Sequence, residues 1–343
     1  MSLRSYIIAR VLLTIPMILL LLTLVFVITR ILPGDPAMLH FEKQVKPEAL
    51  EVFKHTLGLD KSLPEQYADY LTGLLRGDFG KSMQDFSPVG QQVFSAFPAT
   101  LELAIYGMII AVVLGIMLGV VAARAYNTRE DHAARTFGIV TYAIPVFFLG
   151  MVLQMVFSIQ LHWFPSGGRM YPGMEPLGLN IGGTHYVTGL YSIDSLLEGN
   201  VAKFIMALRY LFLPCLALGV ALCGIFVRLT RSNMLETLRL DFVTAARARG
   251  LKESTVVYSY ALRNAFLPIL TMMGLQFAAL LAGAILTETT FSWPGLGRYL
   301  VDRISFRDYT AIQGAVVFFG LLVAMVSLVV DILYAYLDPR IRL

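Results

Sequence analysis

The chain has 343 residues, of which 57% are hydrophobic and 15% charged, against about 45–50% and about 25% in an ordinary soluble domain. With a mean hydropathy of +0.69, a larger core, disorder, collagen and a disulfide scaffold are all excluded, and a polytopic membrane protein remains. The formal net charge of +4 points to nucleic acid only if the basic residues form a patch.

Six stretches without Asp, Glu, Lys or Arg are long enough to cross a bilayer: Val11–Thr29, Leu103–Ala123, Thr136–Leu161, Tyr210–Val227, Ala265–Thr287 and Tyr309–Val330. The first is longer than a signal-peptide core and is followed by Arg30-Ile31-Leu32-Pro33 rather than a small-x-small cleavage site, so a retained helix is expected. With both termini inside, the inner segments 1–10, 124–135, 228–264 and 331–343 hold 14 Lys/Arg and 7 acids in 72 residues. The outer segments hold 13 Lys/Arg and 16 acids in 142 residues. That asymmetry is the positive-inside bias, and it removes the nucleic-acid reading. Trp163 and Trp293 fall just outside spans on the outer side, where an aromatic belt would place them.

The outer segment 33–98 contains two amphipathic patterns. Leu50, Phe53 and Leu57 lie between Pro47 and Gly58, and Pro64 opens a helix with Tyr67, Tyr70, Leu71 and Leu74 on one face, ending at Gly77. They read either as helices packed on the membrane surface or as a landing surface for an extracytoplasmic partner. Gly80-Lys81-Ser82 imitates the end of a P-loop, but Leu75 stands where the first glycine belongs and no strand precedes it. The glycine- and proline-rich stretch Trp163–Lys203 is expected to be irregular loop, and Phe291–Arg298 a turn with aromatic anchors. Cys215 and Cys223 are eight apart on one span, about 12 Å by helical rise, too far for a disulfide.

Within the inner segment 228–264, the run Asp241-Phe242-Val243-Thr244-Ala245-Ala246-Arg247-Ala248-Arg249-Gly250 reads as a short helix, with Asp241 as N-cap and Gly250 at C′. Its alanines allow another surface to approach closely. A second helix is expected from about Ser254 towards Ala265. The segment is longer than two antiparallel helices need, so it reads either as a docking element or as a positive-inside loop that only orients the chain.

In the spans, small residues recur every four positions (Gly107, Ala111, Gly115, Gly119; Gly274, Ala278, Ala282), as close helix packing requires. Gln154 and Gln276 are the candidates to line a pathway, or else they tie helices together. No span carries a charge in its middle, and Glu288 and Asp331 sit at span ends, where a carboxylate costs little.

Thr244-Ala245-Ala246-x-x-x-Gly250, followed by Leu267-Pro268, resembles the E-A-A-x-x-x-G…Leu-Pro signature of permease subunits of binding-protein-dependent ABC importers, with Thr244 in place of the glutamate. Leu32–Pro36, Phe97–Leu103, Ala261–Ala265, Leu281–Glu288, Phe291–Arg298 and Asp338-Pro339-Arg340 resemble the peptide/nickel branch, nearest to dipeptide and oligopeptide permeases. The resemblance implies an all-α polytopic membrane protein with the type I ABC importer permease (MetI-like) fold, one transmembrane domain over residues 1–343, in the cytoplasmic membrane of a prokaryote. It also implies a second homologous permease, two ATPase subunits and an extracytoplasmic substrate-binding protein as partners. ATP and Mg would be bound by the ATPases, with no cofactor, metal or catalytic residue in this chain. Asp241, Thr244, Ala245, Ala246, Arg247, Arg249 and Gly250 would form the ATPase-coupling site. Peptides are the expected cargo, and nickel chelates, glutathione-like compounds and oligosaccharides use the same branch. A secondary transporter would show embedded charges or broken inverted repeats, and a membrane enzyme would show a motif such as H-E-x-x-H or G-x-S-x-G; the sequence has neither.

Overall fold

The computed structural model describes residues 3–31, 51–52, 55, 58, 60–181 and 184–337. The Leu50, Phe53, Leu57 pattern and the motif residues Leu32–Pro36 and Asp338–Arg340 lie outside these.

Five helices are long and apolar enough to cross a membrane: α1 (Leu3–Ile31), α3 (Val89–Arg124), α7 (Val201–Thr237), α9 (Leu262–Gly283) and α12 (Tyr309–Leu337). Except for α9, each helix extends beyond its uncharged stretch, because flanking charged residues continue its turns. The remaining stretch, 136–161, is not one rod. It is α4 (Arg129–Ala143) and α5 (Val146–Leu153, continuing as a π-helix through Gln160), bent by 99° at Ile144-Pro145. Pro145 has no N–H to offer and forces Ile144 into extended backbone, at φ −78° and ψ 126°. The pair still follows α7 over much of its length. Asp131 pairs with Arg231 at one end, and Arg209 Nη2 donates to Trp163 O, 2.8 Å away, at the other. Those two arginines are 22 residues apart, about 33 Å of helix, which is one bilayer core.

α3 and α7 form the central pair. Gly107, Gly115 and Gly119 of α3 meet Leu218, Phe226 and Thr230 of α7 so closely that an added Cβ would collide at the last two positions. Gly274 of α9 is packed in the same way against Val330 of α12. The small-residue stripes therefore serve packing. α1 lies at the periphery, with Leu22 and Val25 buried against Val317. Against it folds α2 (Leu63–Leu75), whose Tyr67, Tyr70, Leu71 and Leu74 turn inward, Tyr67 stacking edge-on to Phe26. Ser82 of the P-loop look-alike is buried, and its hydroxyl donates to Asp308, which caps α12 through the Ala311 N–H.

Several expectations need correction. Trp163–Lys203 is not all irregular: it holds a two-stranded hairpin, β1 (Leu179–Ile181) with β2 (Thr184–Tyr186), and helix α6 (Tyr191–Leu197). Trp163 is exposed as a belt residue would be, but Trp293 is fully buried. The fifth stretch breaks at Ala284, leaving α10 (Ile285–Thr290) separate and Glu288 wholly buried, so this carboxylate at the span end does carry a desolvation cost. Cys215 and Cys223 are free and buried.

Candidate functional site

The inner segment folds into a compact bracket. After α7 ends at Thr237, Leu240 adopts the extended backbone of an N-cap, and α8 (Asp241–Ala248) begins at Asp241. Asp241 is thus the first helical residue rather than the cap, and a carboxylate there still complements the helix dipole. At the other end the chain closes a Schellman turn: the Gly250 N–H donates to Arg247 O (2.9 Å) and the Leu251 N–H to Ala246 O (3.4 Å). Gly250 has φ +73°, the left-handed backbone that the turn requires at C′. Leu251 then packs on the same small core as Ala246.

Val243 and Ala246 are fully buried against Val256, with Leu238, Leu251 and Tyr260 around them. Ala246 is therefore an inward residue that lets α8 lie close to the chain's own next helix. Asp241, Phe242, Thr244, Ala245, Arg247, Ala248 and Arg249 are exposed and form the outward face. The second helix starts at Glu253 and passes through a π-helical turn, Val256–Ala261, straight into α9. It thus runs far beyond the expected Ser254–Ala265. Arg247 forks onto Glu253, Nη2 to Oε1 at 2.8 Å and Nε to Oε2 at 3.2 Å, which raises the guanidinium pKa and pins α8 to the helix it abuts. The pair is exposed, so its energetic worth is small. Beside α8 a groove of about 380 Å³ is lined by Arg124, Arg239, Arg247 and Leu238. The sequence-read residues from Asp241 to Gly250 thus form one short helix and its closing turn, with Val243 and Ala246 facing inward and the others exposed beside a basic groove.

The two glutamines part ways. The Gln154 amide donates to Ser166 O (2.5 Å) and Thr290 O (3.0 Å), joining α5 to the outer loop and to α10. Gln276 is half-buried, and among the described residues its amide donates only to Met272 Sδ of its own helix, 3.6 Å away. Gln276 retains spare hydrogen-bonding capacity, whereas Gln154 is a tie.

At the opposite end of the bundle, three distant motifs converge on a junction that sequence reasoning missed. Glu102, in the N-terminal half of α3, accepts from Arg169 (Nη2 2.6 Å, Nε 3.2 Å) and from Ser192 (N 2.7 Å, Oγ 2.6 Å). Arg169 also donates to Gly189 O and lies 3.8 Å over the Tyr191 ring. Trp293 Nε1 donates to Ala99 O, and Thr100 Oγ1 donates to Glu288 while accepting the Leu296 N–H. Glu288 Oε2 accepts the Arg298 N–H at the start of α11 (Leu296–Ser305), but burial still pushes its pKa up to about 7. The available signal was a carboxylate, Glu102, at the very edge of an apolar run.

The protein-family model described as "Binding-protein-dependent transport system inner membrane component" matches residues 115–343, and its N-terminal companion, "Binding-prot-dependent transport system membrane comp, N-term", matches 3–104. The chain is 42% identical over 341 residues to the di/tripeptide transport system permease protein DppB of Pseudomonas aeruginosa (strain UCBPP-PA14), covering 98% of both chains. It is 40% identical over 339 residues to the dipeptide transport system permease protein DppB of Escherichia coli (strain K12), again 98% of both. It is also 38% identical over 338 residues to the glutathione transport system permease protein GsiC of Pectobacterium atrosepticum, covering 98% of this chain and 99% of that one.

Proposed function

Because this chain belongs to the family of binding-protein-dependent transport system inner membrane components, we propose that α8 is the point at which an ATPase partner drives it. The chain is a permease subunit of a peptide ABC importer, in keeping with relatives named for di- and tripeptide transport at 37–42% identity over nearly the whole chain. The finer reading places a second permease beside it, two ATPases at the α8 end and a substrate-binding protein at the opposite end. Both termini then lie on the cytoplasmic side, and the chain alone hydrolyses no ATP.

The observation that carries this reading is the construction of α8. A helix that transmits force must be exposed on one face and fixed on the other. The Schellman turn and the Val243/Ala246 core fix it to the start of α9, while Leu238 links the same core to the end of α7. A push on Thr244 and Ala245 is therefore delivered to two crossings at once. Nucleotide would then favour one arrangement of the crossings over another through its differential binding to the ATPases. Thr244, in place of the family glutamate, removes a carboxylate from this face and leaves the docking geometry intact.

The test is dipeptide uptake in cells carrying matched amounts of each variant in the membrane. Ala245→Arg alters only the outward face and is expected to abolish uptake with normal assembly of the chain itself. Ala246→Arg would disrupt the internal core and so cannot serve alone. Unchanged uptake in Ala245→Arg refutes the role of α8. Uptake that glutathione blocks as effectively as unlabelled dipeptide would shift the cargo towards the glutathione relatives.

A further inference from the structure

Between α4 and α7, at the end of the bundle that carries α8, lies a groove of about 530 Å³. Its mouth holds three arginines: Arg135 on α4, and Arg228 and Arg231 on α7. Arg231 is committed to Asp131, with Nε to Oδ1 at 2.6 Å and Nη2 to Oδ2 at 2.8 Å. Arg135 and Arg228 are exposed, and the one carboxylate acting on Arg135 among the described residues, Asp131, is already taken up by Arg231. The mouth therefore carries a surplus of two positive charges. From there the walls turn apolar, towards the C-terminal end of α4 and the middle of α7: Ile139 and Tyr142 follow Arg135 by one and two turns, and Ile225 lies one turn from Arg228. By helical rise, Tyr142 is about 10 Å deeper than Arg135.

A cationic mouth at the depth of the membrane surface, continued by an apolar trough running towards the bilayer centre, matches a molecule with an anionic head and a hydrocarbon tail. Basic pockets between crossings recognise such headgroups by charge, and arginine does so with a fork suited to phosphate oxygens. We propose that this groove is a binding site for one anionic phospholipid, its phosphate held by Arg135 and Arg228 and one acyl chain laid along Ile139, Tyr142 and Ile225. The bound lipid would fasten α4 to α7 beside the Asp131–Arg231 pair. This rests on the chain being a membrane protein and not on the coupling role of α8.

The experiment uses the assembled importer in phosphatidylcholine vesicles, with Tyr142→Trp as reporter. Its emission, taken as the difference from the parent chain, is titrated with brominated phosphatidylglycerol or brominated phosphatidylcholine. Each arginine contributes roughly a fivefold preference, so the anionic quencher should act at several-fold lower mole fraction. That preference should fall to near one in Arg135→Ala/Arg228→Ala. Native mass spectrometry of the parent complex, which contains no reporter, should show retained phosphatidylglycerol that the double variant loses. Equal quenching by both lipids, or a preference that survives the double substitution, overturns the proposal. So does a preference abolished by inorganic phosphate or by a dipeptide at constant ionic strength, since the site would then belong to a soluble anion.

Discussion

Removing Arg169 while leaving Glu102 in place should be among the most damaging single changes to this chain. Both side chains are buried, with 8% and 1% of their side-chain surface exposed. Arg169→Met preserves much of the apolar volume but deletes the donors at 2.6 and 3.2 Å that meet Glu102 Oε2, together with the donor to Gly189 O. Ser192 can still satisfy Oε1, so Glu102 is left with half its hydrogen bonds and no counter-charge. Breaking a buried pair from one side costs about 3–5 kcal/mol, whereas removing both charges is far milder. Arg169→Met should therefore lower the apparent unfolding midpoint by roughly 6 °C or more, and Glu102→Gln added to it should recover most of that loss. The buried Cys215 and Cys223 supply the assay: a thiol-reactive dye added to the detergent-solubilised protein labels them only as the bundle opens. A midpoint within about 1 °C of the parent, or a double variant no better than the single one, would show that the pair is not a stabilising tie.

Gly250→Ala meets no steric obstacle, because nothing lies within 4 Å of a Cβ there, so its cost is backbone strain alone, about 1–2 kcal/mol; uptake should fall several-fold with normal expression, and Gly250→Pro, which also deletes the N–H bonded to Arg247 O, should abolish it. For Glu288, a folded-state pKa of about 7 stands above the ordinary carboxylate value, so the folded chain holds the proton more tightly than the unfolded one. Its contribution is full below about pH 4.5 and is lost as pH rises through 7, an effect approaching ~3 kcal/mol. Glu288→Gln should flatten the fall in stability over that window, and an unaltered pH slope in thermal melts would contradict the assignment. Gln154→Leu should cost about 1–2 kcal/mol through the two carbonyls it abandons, while the ranking of competing peptides in uptake assays stays the same; a changed ranking would place Gln154 on the cargo's path.

Elements set by local pattern were legible in the sequence. The apolar stretches locate the crossings, the spacing of Tyr67, Tyr70, Leu71 and Leu74 finds the inward face of α2, and Gly250 marks the end of α8 because its left-handed backbone favours glycine. What escaped depends on long-range partners. Glu102 and Arg169 are 67 residues apart and Thr100 and Glu288 188 apart, so no window contains both ends of either contact. Ala246 looked like part of a contact surface because composition cannot tell the inward face of an eight-residue helix from the outward one. Pro145 was visible as a residue, yet its 99° consequence was not. A proline inside a crossing can be absorbed, as Pro214 is within α7, and only the surrounding packing decides.

The broken third crossing also sets an order of events during biosynthesis. Asp131 leaves the ribosome 100 residues ahead of Arg231, its bidentate partner, which at about 5–20 residues per second is a lag of roughly 5–20 s. Until α7 arrives, Asp131 has only Arg135, one turn along α4, as a counter-charge, and Gly138 has no Gly224 to pack against. Pro145 divides the stretch so that the apolar α5 holds no charge, while α4 holds the carboxylate whose bidentate partner exists only once α7 has been made.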